Sequence, residues 1–338
     1  MLVIGGENLF DMISEVKDGA LSYKAVPGGS PYNTAVAAGR LGAQVCYLSP
    51  ISNDHLGDHL VRYLSDSQVS FLGDRVEAPT SLALVNLSNG QASYQFYRTD
   101  TAERLVQLNA LKDKCRQAIN QEYSMLHIGS LALTGEEDGE TWCQVFEWAH
   151  SKMLTSVDLN IRPQFIEHEV NYRQRLQRIM NAATVVKLSD EDLAWWLDSN
   201  ANSEQVKSKK TKELSDAEIE LACFKLLESI SAKMLLLTQG SYGSRLFVQN
   251  QANDFVDSSL RPAFKTESFK DTVGAGDTFM GVFLAKLQEL KVTSSHTWTL
   301  QELRPALRYA SMAATINCER VGCNPPYREM VLQRLSQS

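Results

Sequence analysis

Short apolar runs alternate along the chain with segments whose apolar positions recur at helical spacing. The runs read as strands: LVIGG (2–6), VCYLSPI (45–51), MLHIGS (125–130), TSVDLN (155–160), TVVKLS (184–189) and MLLLTQG (234–240). Helical patterns lie between most of them, at about 31–41, 54–66, 109–121, 138–151, 172–182, 214–231, 276–290 and 301–317. Strands that are apolar on both faces need helices on both sides. The alternation therefore predicts an α/β fold with a doubly wound, mostly parallel sheet.

Two segments break that rhythm. Residues 12–27 and 81–98 alternate apolar with polar positions, the pattern of strands with one wet face. Within the second, Ser88-Asn89-Gly90-Gln91 supplies a hairpin turn. These strands predict a small sheet outside the main one, placed as a lid over a ligand cleft. Residues 198–213, DSNANSEQVKSKKTKE, are polar and unpatterned and read as a solvated loop. No internal repeat is present.

At 338 residues, 43% of them hydrophobic, the chain suffices for one large core, and residues 1–338 read as a single domain. The net charge of −7 argues against a nucleic-acid binder, which carries a basic face. Cys46, Cys115, Cys143, Cys223, Cys318 and Cys323 form no CxxC pair and read as reduced thiols. The start, MLVIGGENLF, lacks a basic segment and reads as a strand, not a signal peptide. No apolar run approaches the roughly 20 residues that span a bilayer. A cytoplasmic protein with no membrane partner is expected.

The chemistry concentrates in KDTVGAGDTFMG, Lys270 to Gly281. It is no Walker A loop. It fails the dinucleotide fingerprint as well, because Phe279 stands where the third glycine belongs. Phe279, Val282, Phe283, Leu287 and Leu290 recur at helical spacing, so the turn opens a helix. Its free N–H groups and positive dipole end suit an anion. Gly274, Ala275 and Gly276 have little or no side chain, so a phosphoryl group can approach their amides as an anion hole. Asp277 would repel a phosphate that it faced. It fits better beside an acceptor hydroxyl, orienting it and taking its proton; an Asp there also serves to cap its own helix. A second constellation, PGGSPYNTAVAAGRLG (27–42), pairs a Gly28-Gly29 turn with Asn33 in a first helical turn. Asn33 suits a polyol hydroxyl or a helix cap equally well.

Together, GGSPYNTAVAAGRLG and DTVGAGDTFMGVF resemble the two signatures of the PfkB (ribokinase-like) family of carbohydrate kinases. GENLFDM, SNDHLGDHL, DLNIRP and LTQGSYGSRLF resemble further family elements in the same order, over nearly the whole chain. The resemblance implies a ribokinase-like fold and ATP-dependent phosphorylation of a sugar terminal hydroxyl. It implies that Asp11, Gly28, Gly29, Asn33 and Asn160 contact the sugar, and that Asp277 is the base. It places Lys187, Thr238, Gly240, Gly243, Gly274 and Gly276 on the ATP side, with Asn317 near the adenine. Mg²⁺ would ride on the ATP phosphates. Ser189-Asp190-Glu191-Asp192 stands where relatives carry N-x-x-E and departs at both ends; Asp192 is the substitute carboxylate, acting through water. Asp271, with carbonyls around Gly322, is the candidate for a monovalent cation such as K⁺.

Arg98, leaving the lid hairpin, and Arg162, at a strand's carboxyl end, would flank the cleft, as anion contacts or as surface ion pairs. FYR (96–98) followed by TAERL resembles fructokinases. Relatives acting on 2-keto-3-deoxygluconate carry a tyrosine where this chain has Phe96, which tilts the reading to fructose. Ribose, a nucleoside and a non-catalytic sugar sensor stand behind those two. The exposed lid edge suggests a homodimer through the lid.

Overall fold

The computed structural model describes residues 1–17, 20–88, 91–119, 123–200, 214–249, 255–291 and 298–338. In chain order the strands are β1 Leu2–Ile4, β2 Leu9–Lys17, β3 Ala20–Gly28, β4 Val45–Tyr47, β5 Ile51–Ser52, β6 Val69–Phe71, β7 Arg75–Val76, β8 Ser81–Ser88, β9 Gln91–Tyr97, β10 Met125–Gly129, β11 Leu154–Asp158, β12 Val185–Ser189, β13 Met234–Thr238, β14 Ser244–Gln249 and β15 Phe255–Arg261. The helices are α1 Ser30–Arg40, α2 His55–Asp66, α3 Leu108–Ile119, α4 Glu137–His150, α5 Glu169–Ala182, α6 Asp190–Asn200, α7 Asp216–Ser229, α8 Ala275–Glu289, α9 Leu300–Asn317 and α10 Arg328–Ser336.

The main sheet runs β15-β14-β13-β12-β11-β10-β1-β4-β6. From β13 to β6 the pairs are parallel, and only β14 and β15 join antiparallel. Strand alternation splits the core in two. Leu2, Ile4, Met234 and Leu236 face α1, α8 and α9 on one side. Val3, Leu126, Leu235 and Leu237 face α3, α4, α5 and α7 on the other. The doubly wound sheet expected from the pattern is therefore present. No described helix is long and apolar enough to cross a membrane.

The lid strands form their own sheet, β3-β2-β8-β9. In it β8 pairs antiparallel with β9 from Leu82↔Tyr97 to Ser88↔Gln91, which brackets the expected hairpin turn. Asn89 and Gly90 themselves lie outside the described residues. So does most of the polar loop expected at 198–213, whose first three positions end α6 instead.

Some expectations change. Residues 45–51 are not one strand: β4 stops at Tyr47, and Ile51 pairs with Arg75 in a two-residue ladder. Pro50, which has no N–H to give, separates the two. The antiparallel β14 and β15, together with α6 and α10, were not read from the pattern. The carboxyl ends of β1, β10, β11, β12 and β13 open on one edge of the sheet, where an α/β fold receives ligands.

Candidate active site

The site is organised by the first turn of α8. Gly274 caps the helix at φ 70°, and a Cβ there would lie 2.2 Å from the Cys323 sulfur. Both the left-handed backbone and the close approach demand glycine. One part of the expected anion hole is corrected. The Ala275 N–H donates to the Thr272 carbonyl at 3.1 Å and closes the turn, whereas the Gly274 and Gly276 amides have no such partner among the described residues.

Helix α1 lies against α8 with almost no gap. A Cβ on Gly281 would sit 2.4 Å from the Thr34 carbonyl. That contact brings two donors to Asp277: Ser30 Oγ donates to Oδ1 at 2.7 Å, and Asn33 Nδ2 donates to Oδ2 at 2.8 Å. Asp277 is only 8% exposed. Burial raises its pKa above the usual carboxylate range, and the Asn33 and Ser30 hydrogen bonds pull it back. Asn33 does not cap its helix; its amide nitrogen holds the carboxylate, and the side chain lines the cavity.

Asp277 lines a cavity of about 350 Å³ between the sheet edge and the lid. Of the residues read from the sequence, Asp11, Gly29, Asn33, Phe96, Asn160, Arg162, Lys187, Gly274 and Gly276 also line it. Gly28 stands behind Asp11, where a Cβ would lie 2.5 Å from Asp11 Oδ2. Burial, and then the neighbouring Asp277, pushes the Asp11 carboxyl to about 6. Phe96 packs edge-on against Phe165, with centroids 4.4 Å apart, and makes one apolar wall.

Sequence reasoning missed Glu7, Asp158, Gln164 and Phe165 in this cavity. Glu7 accepts from the amides of Ser30 (3.0 Å) and Ala132 (3.2 Å), and burial pushes its carboxyl to about 7. Its place just past the carboxyl end of β1 was the available signal. Asp158 pairs with Lys187 at 2.7 Å, both buried.

Four further expectations change. Arg98 does not face the cavity. It is clamped by Glu103, with Nε to Oε1 at 2.8 Å and Nη2 to Oε2 at 3.2 Å, and also donates to the Leu131 carbonyl. Asp192 lines neither cavity described here. Its oxygens accept from the Ile161 amide (2.6 Å) and the Ser189 amide (2.7 Å), tying the β11 exit loop to the start of α6. Asp271 likewise holds the amides of Val273 and Gly322, at 2.9 and 2.8 Å. Asn317 is fully buried. It donates to the Val273 carbonyl and accepts from the Asn324 amide, bracing the turn from behind.

A second cavity, about 550 Å³, opens on the other side of the turn. It is lined by Thr238, Gly240, Gly243, Ala275 and Gly276, as expected for most of these, and by Phe264, Ser311, Ala314, Thr315 and Cys318. Gly240 and Gly243 have positive φ, and a Cβ on Gly243 would lie 2.0 Å from the Arg261 carbonyl. Thr272 and Gly276 line both cavities, so the two meet at the first turn of α8.

Residues 3–330 match the pfkB family carbohydrate kinase model. The chain is 30% identical over 290 residues to a fructokinase of Rhizobium leguminosarum bv. trifolii, covering 85% of this chain and 80% of that protein. It is 28% identical over 334 residues to a probable fructokinase-4 of Arabidopsis thaliana, covering 96% and 93%. Among solved structures, fructokinase from Xylella fastidiosa superposes with a TM-score of 0.82 at 25% identity, covering 100% of this chain and 99% of that one. The chain belongs to the PfkB family of carbohydrate kinases, enzymes that transfer a phosphoryl group from ATP to a sugar hydroxyl.

Proposed function

We propose that the protein is a fructokinase that phosphorylates the terminal hydroxyl of fructose, giving fructose 6-phosphate. The observation that carries this reading is the junction at Gly276, where the two cavities meet beside a buried carboxylate that faces the smaller one. The sugar occupies the smaller cavity, and ATP the larger. Asp277, held on both oxygens by Ser30 and Asn33, orients the attacking hydroxyl and takes its proton. The Gly274 and Gly276 amides and the positive end of α8 stabilise the transferring group, whose loose transition state asks for charge stabilisation above all. Lys187 adds a positive charge there. The lid excludes water and limits loss of ATP to hydrolysis.

Charge within the sugar cavity favours a neutral polyol over a keto acid. Glu7, Asp11, Asp158 and Asp277 line it, against Lys187 and Arg162. Lys187 is paired to Asp158, and Arg98, the second arginine of a carboxylate clamp, is committed to Glu103. That leaves Arg162 as the lining cation with no carboxylate partner among the described residues.

Mg²⁺ would be carried by the ATP phosphates and water. The carboxylate read for it does not fit, because both Asp192 oxygens hold backbone amides, so no step is derived through the ion. Asp271 accepts the Val273 and Gly322 amides, one on each oxygen, and no step is derived through a monovalent cation there. Leu21, Tyr23 and Tyr97 are exposed on the outer lid strands, which supports a homodimer through that sheet. A monomer by light scattering at working concentration would remove that part.

The functional test is ATP turnover over a panel containing fructose, 2-keto-3-deoxygluconate and ribose, for wild type and Asp277→Asn. Fructose should give the highest kcat/KM. The variant should lose several orders of magnitude in kcat while still binding sugar. Near-normal turnover by the variant would remove Asp277 as the base, and a preference for the keto acid would overturn the substrate.

A further inference from the structure

We propose that Asp158 is a positioning residue for phosphoryl transfer, holding the Lys187 ammonium beside the Gly276 backbone at the meeting of the two cavities. The inference rests on placing the transferring group at Gly276, as above.

Asp158 and Lys187 are direct cross-strand partners on the parallel pair β11 and β12, so both side chains leave the same face at the strands' carboxyl ends. Their flanking neighbours in that row are Gly129 on one side and Leu236 on the other. Neither carries a polar side chain. The carboxylate is therefore left with Lys187 alone: Oδ2 accepts from Nζ at 2.7 Å, and Oδ1 is buried with no hydrogen-bond partner. Side-chain exposures are 1% for Asp158 and 4% for Lys187.

Such a pair is a poor way to stabilise a sheet. Removing two charges from water costs several kcal/mol, and a well-packed apolar pair of the same size often does as well or better. Its location supplies another reason for it. Both residues line the sugar cavity. A Cβ on Gly276 would lie 3.4 Å from Lys187 Nζ, so the ammonium stands against the glycine that borders both cavities. Lys187 also acts electrostatically on Asp277. A flexible lysine left alone in that pocket would swing away from Gly276. Asp158 prevents that. Burial pushes the Asp158 carboxyl up to about 6, and Lys187 is the main influence pulling it back.

The experiment is a double-variant cycle with Asp158→Asn and Lys187→Met, read as kcat and KM for ATP with fructose. Calorimetric fructose affinity and the thermal midpoint are measured alongside. Asp158→Asn should lower kcat on the order of 10–100-fold, the cost of a misplaced catalytic group, with fructose affinity unchanged. In the Lys187→Met background the same substitution should change kcat less than about threefold, because nothing is left to position. Asp158→Glu, which keeps the charge, should recover part of the loss. A threefold or smaller effect of Asp158→Asn, or a further tenfold loss in the double variant, overturns the proposal. If Asp158→Asn alone fails to fold for want of a partner to Lys187, the double variant, with both charges gone, still gives the comparison. A wild-type rate for Lys187→Met would overturn this inference and the placing of the phosphoryl group beside Lys187 together. A damaged Lys187→Met with a neutral Asp158→Asn would overturn this inference alone.

Discussion

Ser30→Ala tests how the base is tuned. The substitution removes the hydroxyl that donates to Asp277 Oδ1 at 2.7 Å and leaves the Asn33 donor on the other oxygen. It does not disturb the start of α1, because the Ser30 backbone amide still donates to Glu7. A hydrogen bond to a charged group is worth about 1.5–3 kcal/mol, and one pKa unit is about 1.4 kcal/mol. Complete loss would withdraw that much stabilisation from the carboxylate form of Asp277. Water entering from the adjoining cavity replaces part of the bond, so the upward shift is smaller than complete loss would give. The sign is fixed: the donor favours the carboxylate form, so its removal raises a pKa that burial already holds high. Transfer needs the carboxylate, so the acid limb of kcat/KM must move to higher pH while the plateau above it is largely kept. The assay is the pH profile of kcat/KM for fructose at saturating ATP, for both proteins. A limb that stays in place while the plateau falls tenfold would show that Ser30 acts on something other than the base.

Two further outcomes follow from the same turn. Gly274→Ala combines a left-handed backbone that costs about 1–2 kcal/mol with overpacking that costs about 1–3 kcal/mol. Denaturant titration should show a loss of about 2–5 kcal/mol, the sum of those ranges, with a parallel fall in kcat. Adding Cys323→Ala should relieve only part of the packing cost, since the Cys323 Cβ, 2.5 Å from the added methyl, remains, and none of the backbone cost; full recovery would mean that the left-handed backbone is not what demands glycine. Asn317→Ala removes the bonds to the Val273 carbonyl and the Asn324 amide. It should cost about 1–3 kcal/mol of stability and leave the preference of ATP over GTP unchanged. Altered base preference in a protein of normal stability would return Asn317 to the adenine.

The primary sequence by itself determined most of the elements and the reactive turn, but not β14, β15, α6 or α10. Apolar strands, helical periodicity and the alternating lid segments are local signals that the backbone must obey, and the parallel sheet with its separate lid followed from them. The break before Asp277 was equally legible, since Gly274 and Gly276 next to an apolar helix leave few other uses for the segment. What failed were statements about which polar group a side chain would choose. Arg98 belongs to Glu103, five residues away, and Asn317 is held by the Val273 carbonyl and the Asn324 amide. Asp192 caps the start of its own helix and ties in the preceding loop, although its spacing suited a metal. Glu7 and Asp158 went unread although GENLFDM and DLNIRP contain them, because those motifs pointed to Asp11, Asn160 and Arg162; they reach the cavity because parallel strands bring their carboxyl ends to one edge. A buried polar atom takes the nearest partner that packing offers, and that choice is made across the sheet and between helices. Packing of α1 on α8, through a glycine with no room for a Cβ, is what set Ser30 and Asn33 on the catalytic carboxylate. Those two residues lie 247 and 244 positions from it along the chain, a separation that only the folded structure closes.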